Sequence, residues 1–133
     1  MRSVVLDTNI IVSAILSPKG VCSKIMGLVF DGEMQAYYCV DILTEYKDVL
    51  FRSSLALNVE KRKLFFEIIR EAGTLIEPTV SDIKLPDESD RIFYDTAKGS
   101  GAILVTGNIK HYPSEPFIMT PAEFMRKAGF LAS

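Results

Sequence analysis

The 133-residue chain has one histidine, two cysteines and no tryptophan. A lone imidazole, His111, excludes a two-histidine acid/base pair. Cys22 and Cys39 are isolated and flanked by apolar or small residues, so a zinc site built on several cysteines or histidines is excluded too; both thiols are expected to be reduced and buried. Neither GxxxxGK[ST] nor GxGxxG is present, which disfavours nucleotide binding by a glycine-rich phosphate loop. No apolar run approaches the roughly 20 residues that cross a bilayer, and there is no internal repeat. Met1 and Arg2 lead straight into a strand pattern without a separate charged and apolar leader, so the expected location is the cytoplasm, away from membranes. The formal net charge of -2 provides no global basic field, and any contact with nucleic acid would rest on local lysines and arginines.

What is present is ordinary globular composition, 48% hydrophobic and 24% charged, over a length that buries most of its apolar surface without metals or disulfides. One domain over residues 1–133 is expected. The run VVLDTN at residues 4 to 9 predicts a strand that stops at Asp7, with a helix pattern (Ile10, Ile11, Ala14, Ile15) beginning at once. Ser17, Pro18 and Gly20 break that helix, and a second follows to Asp31-Gly32. Residues 35–40 read as a strand ending at Asp41, the expected cap of a third helix. After a lapse between Arg52 and Asn58, Asn58 is the expected cap of a fourth helix with Leu64, Phe65, Ile68 and Ile69 inward and Gly73 past its end. A short strand over residues 74–77, an acidic helix start after Pro86, a strand AILVT, a strand at residues 117–119 and a helix capped by Thr120 and Glu123 complete the chain. Strands alternating with helices predict an α/β fold, a three-layer α/β/α sandwich on a mainly parallel sheet of about five strands.

Acids and amides then carry the chemistry. Asp7, at the C-terminal end of a strand, lies where open α/β sheets bind ligands, although Asp7 or Thr8 capping the next helix explains the same residues. Glu45 falls on the inward stripe of Ile42, Tyr46 and Val49, and a buried carboxylate needs a cation or a strong donor. Asp90 precedes Phe93, Tyr94 and Ala97 by three, four and seven residues and repeats that anomaly; Asp87, Glu88 and Asp90 also suit a helix N-terminus electrostatically. Asn108 follows the AILVT strand and is expected to project into the crevice of Asp7. Three carboxylates and an asparagine make an oxygen-rich set suited to Mg²⁺ or Mn²⁺, which activate water and stabilise charge in phosphoryl transfer. The basic cluster Lys61-Arg62-Lys63, with Lys47 and Arg52, is a candidate contact for a phosphate backbone, or simply solvated surface. An aspartyl-phosphate phosphatase using Asp7 would want a second aspartate where Asn9 stands.

VVLDTN, the glutamate of LTEY, the aspartate of PDESDRIFYDTA and the strand-plus-turn LVTGN together resemble the PIN domain family, from near residue 3 to about residue 125. The closing MTPAEF resembles its bacterial VapC-like branch, the toxins of toxin–antitoxin pairs. The resemblance implies a metal-dependent ribonuclease acting on single-stranded or structured RNA, with Asp7, Glu45 and Asp90 as catalytic, metal-binding acids and a water nucleophile. It implies a homodimer and a small antitoxin protein that blocks the site. Thr8, Asn9, Thr106 and Asn108 are the expected supports, Asn9 by holding the turn after Asp7. One departure stands out: many members carry a fourth acid where this chain has Asn108, with His111 three residues on. Asp87 or Glu88 could supply that charge, and a catalytically silent PIN-like module that binds RNA or protein is the competing reading.

Overall fold

The computed structural model describes residues 2–52 and 57–130. Among these residues five strands form one sheet in the order β3-β2-β1-β4-β5, with every pairing parallel. Strand β1 (Arg2–Leu6) is central because Val4, Val5 and Leu6 are apolar on both faces; all three are buried, which is how a parallel strand covered by helices reads. It pairs with β2 (Met34–Tyr38) through Val4↔Ala36 and with β4 (Ile103–Val105) through Leu6↔Val105. Strands β3 (Thr74–Leu75) and β5 (Ile118–Met119) form the edges. Helices α1 (Thr8–Leu16), α2 (Val21–Phe30), α3 (Val40–Leu50), α4 (Val59–Ala72), α5 (Arg91–Ser100) and α6 (Pro121–Lys127) complete the expected α/β/α sandwich. Among the described residues no single helix is long and apolar enough to cross a membrane. Helices α1 and α2 would qualify together, but they meet at 105° and bury Ile10, Ile11, Ile25 and Met26 in the core.

Several element boundaries differ from the sequence expectation for local reasons. Strand β2 stops at Tyr38, Cys39 takes the cap position, and Asp41 lies inside the first turn of α3, where its charge still suits the helix dipole. Asp41 is therefore not the cap. The acidic start after Pro86 is a 3₁₀ turn, Glu88–Asp90, capped by Asp87, and α5 begins only at Arg91. That helix also runs through Gly99 to Ser100, because Gly101, at φ 72°, supplies the left-handed residue that closes it. Strand β3 has two residues rather than four. In α4, Asn58 does cap by accepting the Lys61 N–H, but Leu64 is 62% exposed, and Phe65, Phe66 and Ile69 supply the contacts. Part of the lapse between Arg52 and Asn58 lies outside the described residues.

Gly73, at the end of α4, is there for space rather than for its dihedral angle. A Cβ at this position would drive into the Tyr38 ring, 2.8 Å from Cδ2, and that ring is held by its hydroxyl donating to the Arg70 and Gly73 carbonyls. Gly73→Ala is expected to cost about 1–3 kcal/mol, as overpacking does, seen as a lower urea midpoint with an unchanged slope.

Candidate active site

Asp7 continues β1 by one residue, its N–H donating to Val105 O at 3.0 Å, and then caps α1. The capping reading is thus met, and the strand-end placement from which the crevice reading starts holds as well. It is only 6% exposed and is surrounded by donors: Oδ1 accepts the Thr8 N–H at 2.7 Å, while Oδ2 accepts the hydroxyls of Thr106 at 2.8 Å and Tyr112 at 2.9 Å. Thr106 is fully buried just past the last residue of β4, and its oxygen also accepts the Asn108 N–H at 3.0 Å. Tyr112 leaves the 3₁₀ turn Ile109–His111 that follows. Burial and then the charge of Asp7 raise the Tyr112 phenol well above its ordinary value, so it stays a donor.

Glu45 sits half-buried on α3 and has no cationic partner within 4 Å among the described residues. Its donor is the Thr8 hydroxyl, so Thr8 joins Asp7 through its backbone and Glu45 through its side chain. One residue further on α3, the buried Tyr46 hydroxyl donates to Leu6 O and ties this helix to the end of β1.

Asp90 ends the 3₁₀ turn before α5, with its side chain 16% exposed. Its Oδ2 is buried and among the described residues has no hydrogen-bond partner; His111 Nδ1 is 3.8 Å away, beyond bonding distance. Burial first, then the charges of Asp7 and Asp87 and, more weakly, Glu45, push its carboxyl up to about 6, with His111 partly opposing them. Asp90 therefore lies in the electrostatic field of the other two acids, and among the described residues its Oδ2 has no donor.

The remaining expected residues divide. Asp87 is exposed and accepts the Ser89 N–H and hydroxyl at 2.9 and 2.8 Å, bonds that hold its carboxyl below the usual range. Glu88 is taken by Arg91, whose guanidinium forks onto it at 2.6 and 2.9 Å. Asn108 is exposed, and among the described residues its amide bonds to none of the acids. Asn9, in the first turn of α1, accepts the Gly107 N–H at 2.9 Å, joining that helix start to the turn after β4. Asn9→Ala is expected to leave that N–H without its partner, lowering stability by about 1 kcal/mol and loosening both turns; unchanged melting would remove this role. Arg62 leaves the proposed basic patch altogether: it is buried and donates to the Leu57 and Arg52 carbonyls.

Tyr112 is the site residue that sequence reasoning missed. An aromatic after a turn reads as core, and only its place four residues beyond Asn108, next to His111, could have flagged it. A cavity of about 700 Å³ opens elsewhere, lined by Cys39, Leu75, Ile76, Val80, Arg91 and Asp95, and includes none of the three acids.

The donor chemistry of the three acids, all hard oxygens, fits a divalent cation, as does the unmatched buried oxygen of Asp90. As they stand, no three His, Cys, Asp or Glu side chains among the described residues are grouped closely enough to enclose one.

The PIN domain family model matches residues 3–110. Uncharacterized protein MJ1680 of Methanocaldococcus jannaschii is 32% identical over 108 residues, spanning 79% of this chain and 70% of that protein. A solved structure, VapBC2 from Rickettsia felis bound to a DNA fragment from their promoter, contains a chain with the same fold at a TM-score of 0.57 and 20% identity, over 81% of this chain and 89% of that one. The chain belongs to the PIN domain family.

Proposed function

We propose that this chain is a divalent-metal-dependent endoribonuclease that hydrolyses phosphodiester bonds of single-stranded RNA, and that it is the toxin of a toxin–antitoxin pair. PIN domains are generally nucleases, which supports a hydrolase. The observation that carries the finer reading is the state of Asp90: a buried carboxylate oxygen without a donor, in the field of Asp7 and Glu45. Buried polar oxygens are normally paired, and one without a donor among the described residues, in the field of two other acids, fits a place where a ligand supplies the missing partner.

In this reading Asp7, Glu45 and Asp90 hold Mg²⁺ or Mn²⁺, with Asp87 in reserve near the exposed side. The ion supplies Lewis acidity and an activated water. The chain's own residues do the positioning: Thr8 sets the spacing between Asp7 and Glu45, Thr106 orients Asp7, and Asn9 fixes the two turns that carry them. The VapBC2 likeness supports a small antitoxin as partner; a single domain over residues 1–133 and a homodimer of two such chains belong to the same proposal.

The test is cleavage of labelled single-stranded RNA by purified, antitoxin-free protein during titration with Mn²⁺ or Mg²⁺. Cleavage that requires the metal is expected. The second reading, a silent RNA- or protein-binding module, is favoured by Asn108 in place of an acid and by acids that do not close around one point. It predicts no cleavage and no metal response.

A further inference from the structure

We propose that Tyr112 is a positioning residue that leaves Asp7 a single open lone pair, on Oδ1, so that Asp7 meets a cation through one oxygen only. The inference rests on the nuclease reading above and concerns how its first acid is presented. An ionised carboxylate has about four acceptor positions, two on each oxygen. On Asp7, the Thr106 and Tyr112 hydroxyls fill Oδ2, and the Thr8 N–H takes one position on Oδ1. One position remains.

The three donors come from three separate places, the start of α1, the end of β4 and the segment after the Ile109–His111 turn, so the carboxylate cannot turn without breaking one of them. The Thr106 hydroxyl is itself directed, because its oxygen accepts the Asn108 N–H at 3.0 Å and its proton is left for Asp7. Tyr112 is 5% exposed, and its hydroxyl is aimed at Oδ2. A phenylalanine would fill the same core volume and leave Oδ2 half open, free to chelate or to rotate. The hydroxyl is the specific element, acting on the acid as outer hydrogen-bond partners do at metal sites.

The experiment compares the parent with Tyr112→Phe and with Tyr94→Phe, which removes another buried phenol, one donating to Glu115 rather than to the site. Mn²⁺ binding is followed by loss of the free-ion electron paramagnetic resonance signal, melting is recorded with and without Mn²⁺, and kcat and KM are measured on labelled RNA. Tyr112→Phe is expected to weaken Mn²⁺ binding about tenfold or more and to lower kcat while KM stays near parental; Tyr94→Phe is expected to bind Mn²⁺ like the parent. Equal affinity and kcat in Tyr112→Phe, or the same loss in Tyr94→Phe, overturns the proposal and leaves the nuclease reading standing. A parent that binds no Mn²⁺ overturns the nuclease reading, and the proposal with it. Should Tyr112→Phe fail to fold, a crystal structure of the Mn²⁺-loaded parent decides: ligation by Oδ1 alone supports the proposal, and chelation or ligation by Oδ2 overturns it.

Discussion

Asp90→Asn is expected to abolish metal-dependent RNA cleavage and most of the Mn²⁺-induced rise in melting temperature, while leaving the metal-free protein as stable as the parent or more so. The Asp90 carboxyl is held at about 6 where its ordinary value is 3.8. The folded state binds that proton more tightly than the unfolded state does, so slope and sign follow from linkage. Stability from this group is complete below about pH 4 and is lost as pH rises through about 6, after which the curve is flat. Asparagine has no proton to lose and no charge to repel Asp7, so the variant should lack that decline. Melting of both proteins from about pH 4 to pH 7.5 without metal checks the first half, and melting with saturating Mn²⁺ beside the RNA assay checks the second. A variant that cleaves at the parental rate would end the assignment of Asp90. One that is clearly less stable than the parent at neutral pH would make Asp90 a structural residue.

The elements that position these acids were legible where local chemistry and tertiary packing agree. VVLDTN declares a buried strand ending in a carboxylate, and that carboxylate stands at the end of the central strand. Glu45 was visible as an acid in apolar company, a periodicity argument that holds on the regular helix α3, whereas Asp90 lies in the 3₁₀ turn before α5, off the helix from which its spacing was counted. What periodicity cannot see is who donates to whom. Thr8 serving Glu45 across 37 residues, and Tyr112 serving Asp7 across 105, depend on how separate loops meet, and no spacing rule encodes that. Arg62 makes the converse point: three consecutive basic residues look like one patch, yet a helix turns each by about 100°, and the middle one points inward to carbonyls. The two-residue displacement of the β2–α3 junction has the same origin, since Asp41 is as good a first-turn residue as a cap, and only the pairing of Tyr38 with Leu75 decides where the strand stops.

Asp7→Ala should behave in the opposite way to Asp90→Asn in stability while matching it in activity. Both remove an acid from the same crevice, so both relieve mutual repulsion and both are expected to end cleavage. Asp7, however, is the acceptor for three donors in a buried setting: the Thr8 N–H, the Thr106 hydroxyl and the Tyr112 hydroxyl. Deleting the carboxylate strands all three, at about 1–3 kcal/mol for each donor that finds no new partner. The hydroxyls can rotate toward other acceptors and Thr8 lies at a helix start that water reaches in part, so the sum is expected to fall near 3–5 kcal/mol rather than at the upper limit. That corresponds to a drop in melting temperature of about 10 °C or more for a chain of this size. Relief of repulsion with Asp90 offsets a part of it, and that part should vanish when Asp7→Ala is placed on an Asp90→Asn background. The double variant is therefore expected to be less stable than the sum of the two single changes predicts, and a double-mutant cycle in urea measures the difference. Strict additivity would mean that the two carboxylates do not sense each other, and the shared-site reading would lose its electrostatic basis.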